Sequence, residues 1–235
     1  NLIDPTGGIQ DLQNKLITAI SEENLIDDPL RMIRAIRFIS DLDFQLEENT
    51  RKYIELNYQL LQKTSPERIK TEILKVVEGQ WKSDFLSFIR QIGLLRAWEA
   101  KDKFCEEQTL FLEDLGHFKD EEIFIALPLV RLMHLLSVNG MIQLGFSRKK
   151  IQRVALLHKW TLMNDGLAFK QLSEADRFQM HIELEPVLPA LIMLLPPIAQ
   201  ISWLKRWRDE SDPLFHPSSP VDGFTLQEKV GIPSG

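Results

Sequence analysis

The chain has one cysteine, Cys105, among 235 residues. A disulfide scaffold is excluded, and the count suits a reducing compartment. It also lacks a membrane-spanning run. The longest apolar stretch, Pro186 to Ile201, is broken by four prolines and is too short to cross a bilayer. No signal peptide is visible, because Asn1-Leu2-Ile3-Asp4 has neither a basic start nor a long apolar run. With 11 Gly and 12 Pro, collagen-like and low-complexity readings fail. No repeat recurs at a fixed period, and strand-like alternation is nearly absent.

What is present is ordinary globular material. Hydrophobic residues make up 44% and charged residues 26%, too much apolar surface for a disordered chain. The length suits one large domain or two small ones. The net charge of −6 argues against indiscriminate nucleic-acid binding. It leaves room for local basic patches, and residues 81–160 hold 12 basic against 10 acidic side chains. There is no initiator Met, and Gly231 to Gly235 stop inside what looks like a continuing segment. Both ends are expected to be cut.

Apolar residues recur at helical spacing along most of the chain. The stripes are Leu12, Leu16, Ile17 and Ile20; Met32, Ala35, Ile36, Ile39 and Leu42; Ile69, Ile73, Leu74 and Val77; and Phe85, Phe88, Ile89 and Ile92. Ile123, Leu127, Val130, Leu135 and Leu136 mark a longer helix, and Ile151, Val154, Ala155 and His158 another. Asp28-Pro29 and Ser65-Pro66 predict helix starts, with a capping side chain followed by Pro at the first helical position. Gly79, Gly93 and Gly116 predict stops. Asn164-Asp165-Gly166 predicts a turn, and Asp212 to Asp222 a loop. The expected class is all-α, with at most a remnant strand at Leu2-Ile3.

Three stretches carry candidate chemistry. In Asp27-Asp28-Pro29-Leu30-Arg31-Met32-Ile33-Arg34-Ala35-Ile36-Arg37-Phe38, Arg31, Arg34 and Arg37 share one helix flank, with Asp28 a turn before Arg31. A carboxylate beside a guanidinium offers acceptors and donors together, which suits the edge of a base. Arginines along a flank suit phosphates. On spacing alone, a capped surface helix with a solvated charged flank is the commoner reading. In Asp4-Pro5-Thr6-Gly7-Gly8-Ile9-Gln10-Asp11-Leu12, Gly7 and Gly8 permit a tight turn, and Asp11 is expected to cap the next helix. In Pro66-Glu67-Arg68-Ile69-Lys70-Thr71-Glu72, Arg68 and Glu72 are spaced for an i, i+4 ion pair.

Taken together and in this order, the three stretches resemble class II tRNA nucleotidyltransferases, the CCA-adding enzymes and their bacterial poly(A) polymerase relatives. The motifs are specific over residues 3–78. The helical remainder is compatible, and Val221-Asp222-Gly223-Phe224-Thr225-Leu226 resembles the start of the family's tail. The resemblance implies an order of domains: the end of a head at 1–12, a neck at 13–80, a helical body at 81–163 and a truncated tail at 164–235. It implies that Asp28 and Arg31 read the Watson–Crick edge of CTP or ATP. Arg34 and Arg37 then lie in the nucleotide pocket, Gly7, Gly8 and Asp11 belong to the head–neck junction, and Glu67, Arg68 and Glu72 brace the neck helices. The implied partner is the tRNA acceptor arm, and the implied reaction is nucleotidyl transfer to an RNA 3′-hydroxyl with Mg²⁺. A cytoplasmic location follows from the same resemblance.

This sequence departs from the family in three respects. Asp27 stands where Glu is frequent, which changes little. Thr18 stands where Arg is frequent, which removes a local contact. The family's Asp-x-Asp metal motif and its Arg-Arg-Asp motif are expected before residue 1, so this chain is expected to be inactive alone and to hold no catalytic or metal-binding residue.

Other signals are weaker. His117, His134, His158, His181 and His216 meet no metal-ligand spacing, and none is followed by Asp. Cys105 lacks the partners of a nucleophile. Arg148, Lys149, Lys150 and Arg153 form the densest basic cluster and are expected to touch the acceptor arm, with a solvated face as the alternative. Lys205, Arg206 and Arg208, near Trp203 and Trp207, form a second cluster. An A-adding enzyme or poly(A) polymerase remains open beside CCA addition. So does a reading of another class, a non-catalytic helical RNA-binding module.

Overall fold

A computed structural model describes residues 3–81, 84–100, 115–162, 173–212, 215 and 216. The predicted Asn164-Asp165-Gly166 turn, Cys105 and the stretch from Val221 onward lie outside the described residues.

The first helix, α1, spans Gly8–Gln13. Gly7 precedes it at φ 77°, a left-handed conformation that suits glycine. Its open N–H groups are taken by Asp4, whose carboxylate accepts from the Gly8 and Ile9 amides at 2.9 and 3.0 Å. Asp11, expected as a cap, instead lies inside the first turn.

The stripe from Leu12 to Ile20 does not continue as a helix. Lys15 turns to φ 54°, and β1 (Leu16–Ile17) follows as a strand. After α2 (Glu22–Asp27) and α3 (Leu30–Leu42) comes β2 (Gln45–Leu46), which pairs in parallel with β1, Leu16 opposite Gln45 and Ile17 opposite Leu46. Helical spacing and short buried strands look alike over so few residues. These are the two strands among the described residues; Ile3 belongs to neither, and Leu2 lies outside the described residues. The clip is reinforced where the Ala19 amide donates to Thr50 Oγ1 at 2.8 Å.

The remaining elements are helical. They are α4 (Glu48–Asn57), a 3₁₀ helix at Tyr58–Lys63, α5 (Pro66–Glu78), α6 (Phe85–Ile92), α7 (Asp120–Leu135), α8 (Val138–Gln143), α9 (Arg148–Leu162), α10 (Glu174–Leu184), α11 (Leu188–Met193) and α12 (Pro197–Trp207). Gly79 and Gly93 end α5 and α6 as expected, whereas Gly116 lies in a turn before α7.

The core follows the apolar stripes. Met32, Ile33 and Ile36 of α3 meet Ile69, Ile73 and Val77 of α5, all buried. The α7 helix is buried on most sides and packs against α5, α9 and α11. All six residues of α11 are buried, which makes it a central pin. Among the described residues, no helix is long and apolar enough to cross a membrane.

One buried cation ties the halves together. Arg131 of α7 is 1% exposed and donates to the Val77 and Gly79 carbonyls at 2.8 and 2.6 Å. Its guanidinium also lies 4.7 Å from the centre of the Trp81 ring. The cation therefore sits at the C-terminal end of α5, where the helix dipole is negative. Burial pulls its pKa down to about 10, so it stays charged at neutral pH.

Candidate nucleotide and RNA interface

The α3 helix starts one residue later than Asp28-Pro29 suggests. The backbone carbonyls of Asp28 and Pro29 accept from the Arg31 and Met32 amides at 2.9 and 3.0 Å. The Asp28 side chain is therefore not used as a cap. Its two oxygens face two different arginines instead. Oδ2 lies 3.8 Å from Arg31 Nε, and Oδ1 lies 3.5 Å from Arg68 Nη2 on α5. Both distances exceed a good hydrogen bond, so the carboxylate keeps its acceptor capacity. Asp28 is 29% exposed, Arg31 51% and Arg68 54%, so the group is reachable from solvent.

The anticipated Arg68–Glu72 pair does not form. Arg68 turns to Asp28, while Glu72, 4% exposed and one turn further along the same face of α5, meets other cations of α3. There it accepts from Arg37 Nη1 at 2.7 Å and Arg34 Nε at 3.4 Å, with Lys75 Nζ at 3.5 Å. Burying this carboxylate among three cations compensates its charge. Arg37 is further held by Asp41 at 3.7 Å and by the ring of Phe38, 4.5 Å away. Arg37 thus locks α3 onto α5. Glu67 acts locally, accepting from Ser65 Oγ at 2.8 Å at the start of α5.

Beside this group lies an open cavity of about 350 Å³ between β1, α2 and α3. Its walls include Thr18, Asn24, Arg31, Arg34 and Phe38. The volume falls in the ~300–1,000 Å³ range of small-molecule sites. Arg31 and Arg34 supply its cations and Phe38 an aromatic surface. Arg31 also reaches Asn24 Oδ1 at 3.4 Å, so one guanidinium spans cavity and carboxylate. Asn24, Phe38 and Arg68 were not singled out as nucleotide contacts from sequence, and no local pattern marks the first two.

A second basic region stands at α9. Arg148, Lys149 and Lys150 fill its first turn, with Arg153 following and no acid among the first residues. None of the four has an ion-pair partner among the described residues. Cations at a helix N-terminus oppose the dipole, so local helix stability does not explain them. Lys70 of α5 lies alongside, donating to the Gly145 carbonyl at 2.8 Å.

Two of the three cations of the other basic cluster are used inside the fold, and Lys205 is exposed. Arg206 makes a two-pronged pair with Asp212 at 2.7 and 3.1 Å. Arg208 pairs with Glu122 and donates to the His117 carbonyl at 3.0 Å. Burial raises the Glu122 carboxyl, but the Arg208 hydrogen bonds and the Lys119 amide outweigh it and hold it below its usual value. Trp203 is buried, leaving little aromatic face beside these cations.

No group of three His, Cys, Asp or Glu among the described residues is placed to hold a metal ion. Asp41-Leu42-Asp43 has the letters of an Asp-x-Asp motif, but Asp41 is paired with Arg37 and Asp43 closes α3 in a left-handed conformation. The described residues do not fit a magnesium site.

The fold has known counterparts. It matches a Thermotoga maritima CCA-adding enzyme complexed with tRNA at a TM-score of 0.69 and 18% identity, over 99% of this chain and 59% of that one. It matches a Bacillus stearothermophilus CCA-adding enzyme in complex with CTP at 0.65 and 22%, over 99% and 60%. These likenesses define the class: a helical chain with the fold of roughly three-fifths of a CCA-adding enzyme.

Sequence likeness covers a shorter stretch. The chain is 47% identical over 81 residues to a CCA-adding enzyme of Listeria monocytogenes serotype 4b, covering 34% of this chain and 21% of that enzyme. To one of Geobacillus it is 40% identical over 95 residues, covering 40% and 24%. Residues 43–98 match the family described as "Probable RNA and SrmB- binding site of polymerase A". Over these stretches the chain is similar to CCA-adding enzymes and poly(A) polymerases. It spans about a fifth of the length of the curated relatives it matches.

Proposed function

We propose that this chain is the nucleobase-selecting and tRNA-holding part of a tRNA nucleotidyltransferase that adds CCA from CTP and ATP. The observation that carries the proposal is the Asp28 carboxylate, freed from capping and set between Arg31 and Arg68. Cytosine and adenine each present an amino donor beside a ring-nitrogen acceptor. A carboxylate accepts from the first and a guanidinium donates to the second. Uracil and guanine present the reverse order and leave both protein groups unmatched, which is how a polar site rejects a wrong partner. Arg68 holds Asp28 in position. Arg34, on the cavity wall, is available to the phosphates, and Arg37 fixes the helix that carries the reader. Gly7, Gly8 and Asp11 are assigned to the junction with a head domain.

The division into head end 1–12, neck 13–80, body 81–163 and tail 164–235 is part of this proposal. The basic turn of α9, with Arg153 just beyond it, is its tRNA contact, because Arg148, Lys149 and Lys150 stand where their own helix repels them and phosphate attracts them. Mg²⁺ belongs to the carboxylates of the head, and nothing among residues 1–235 is asked to hold it.

The test is incorporation on tRNA lacking its 3′ end, with this chain joined to a head domain. Addition of C and then A supports CCA addition. Use of ATP alone, on tRNA ending in CC, assigns the chain to an A-adding enzyme. Binding of tRNA without incorporation leaves a helical RNA-binding module.

A further inference from the structure

A second open groove, of about 550 Å³, lies away from the Asp28 cavity, where the 3₁₀ helix meets the end of the α6 region. It is lined by Tyr58, Gln59, Gln62, Lys63 and Arg96. Its centre is a plate made by Arg96 and Tyr58. The Arg96 guanidinium lies 5.3 Å from the centre of the Tyr58 ring, and its Nη1 is 3.3 Å from the phenol oxygen. On the other side the guanidinium rests on Gly93. A methyl group at Gly93 would sit 3.0 Å from Arg96 Nη2 and 3.3 Å from both Cζ and Nε. Three guanidinium atoms at nearly one distance describe a plane lying flat on the glycine. Gly93 is needed twice, for its φ of 69° and for this approach.

Arg96 is exposed and Tyr58 half-buried against the core, and the charge is not neutralised among the described residues. Arg96 has no carboxylate partner among the described residues, and neither does Lys63. The Gln59 hydrogen bond, with Arg96 nearby, holds the Tyr58 phenol below its usual value. Two cations, an aromatic face and two amides around one groove form a set suited to a single nucleotide. Phosphate meets Arg96 and Lys63, an unstacked base lies against the Tyr58–Arg96 plate, and Gln59 and Gln62 offer donors and acceptors to its edge. The groove is linked to the reader along the chain: its 3₁₀ helix leads into α5, whose first turn carries Arg68 to Asp28.

We infer that this groove binds a nucleotide of single-stranded RNA, a site separate from the Asp28 cavity. The inference rests on the proposed RNA-binding role of the chain. It is favoured over an acidic peptide because the plate offers a stacking plane as well as charge.

The experiment measures binding of the whole chain to two fluorescent probes, an oligocytidylate hexamer and a blunt RNA hairpin without overhang. Arg96→Glu and Tyr58→Leu each weaken hexamer binding by about tenfold, the loss of one stacked base. Both leave hairpin binding nearly unchanged. Arg96→Lys, which keeps charge and loses the plane, falls between. Unchanged hexamer affinity in both variants overturns the inference. So does a hexaglutamate peptide that binds as tightly as the RNA and is equally weakened by Arg96→Glu. A Lys149→Glu/Lys150→Glu variant separates the two claims. If it loses hairpin binding while the groove variants change nothing, the tRNA-holding role survives and the groove fails alone. If the unaltered chain binds neither probe, both fail.

Discussion

Asp28 shows how much depends on one residue of helix register. Had it capped α3, its carboxylate would be spent on backbone amides. Because the helix starts at Leu30, the carboxylate is left between Arg31 and Arg68. The Asp28–Arg31 half of this group was legible in the sequence, through spacing and family motif. The Arg68 half was not, because local pairing rules point Arg68 to Glu72, whereas its partner lies 40 residues earlier in the chain. Arg68→Ala is expected to cost at most about 1 kcal/mol in stability, since the pair is exposed. It is also expected to relax base choice several-fold, read from incorporation of CTP against UTP. Glu72→Ala is the opposite case. It leaves the half-buried Arg37 without its main partner and is expected to cost about 2–4 kcal/mol by urea unfolding.

At the scale of elements, the apolar stripes identified α3, α5, α6 and α9 because these helices bury one continuous face, and α7 because its apolar residues run nearly all round it. The β1–β2 clip was not legible. Two residues per strand leave no periodicity, and Lys15 breaks the helix by a backbone turn that no side-chain pattern announces. Close approaches were equally invisible. At Gly140, in the first turn of α8, an added methyl group would sit 2.3 Å from the Trp98 carbonyl oxygen and 2.8 Å from its Cα. Backbone atoms cannot step aside, so Gly140→Ala is expected to destabilise the chain by about 2–3 kcal/mol.

His134 of α7 gives a pH prediction at the same scale. Both ring nitrogens are buried without a partner, and burial, with Arg90 and His158 nearby, lowers its pKa to about 4 from 6.5. The folded state therefore resists protonation that the unfolded chain accepts. Stability is full above pH 6.5 and falls as pH drops from 6.5 towards 4. The loss attributable to this ring approaches roughly 3 kcal/mol. Comparing unfolding free energies of the wild type and His134→Leu across that window isolates its share from that of the carboxylates. Parallel curves would remove His134 from the account.

At the scale of the whole molecule, the acidic balance conceals an uneven surface. Arg206 and Arg208 are consumed by Asp212 and Glu122, while the cations of the α9 turn have no ion pair among the described residues. Sequence density alone could not tell these clusters apart, because Arg208's partner Glu122 lies 86 residues away and Arg206's partner Asp212 lies beyond the end of its own helix. Reversing Lys149 and Lys150 to Glu is expected to weaken tRNA binding and flatten its salt dependence by about 1–2 units of log–log slope, one counterion for each lost phosphate contact. An unchanged slope would return α9 to a solvated face.

The central claim is that protein side chains at Asp28 and Arg31 choose the base. It is tested most directly by single-nucleotide incorporation on tRNA lacking its 3′ end, with this chain joined to a head domain. CTP, ATP, UTP and GTP are offered singly to the wild type and to Asp28→Ala. The account predicts that the wild type takes C and A in order and rejects U and G, and that the variant still binds tRNA but loses this preference. An Asp28→Ala variant that discriminates as sharply as the wild type would contradict it and put base selection elsewhere.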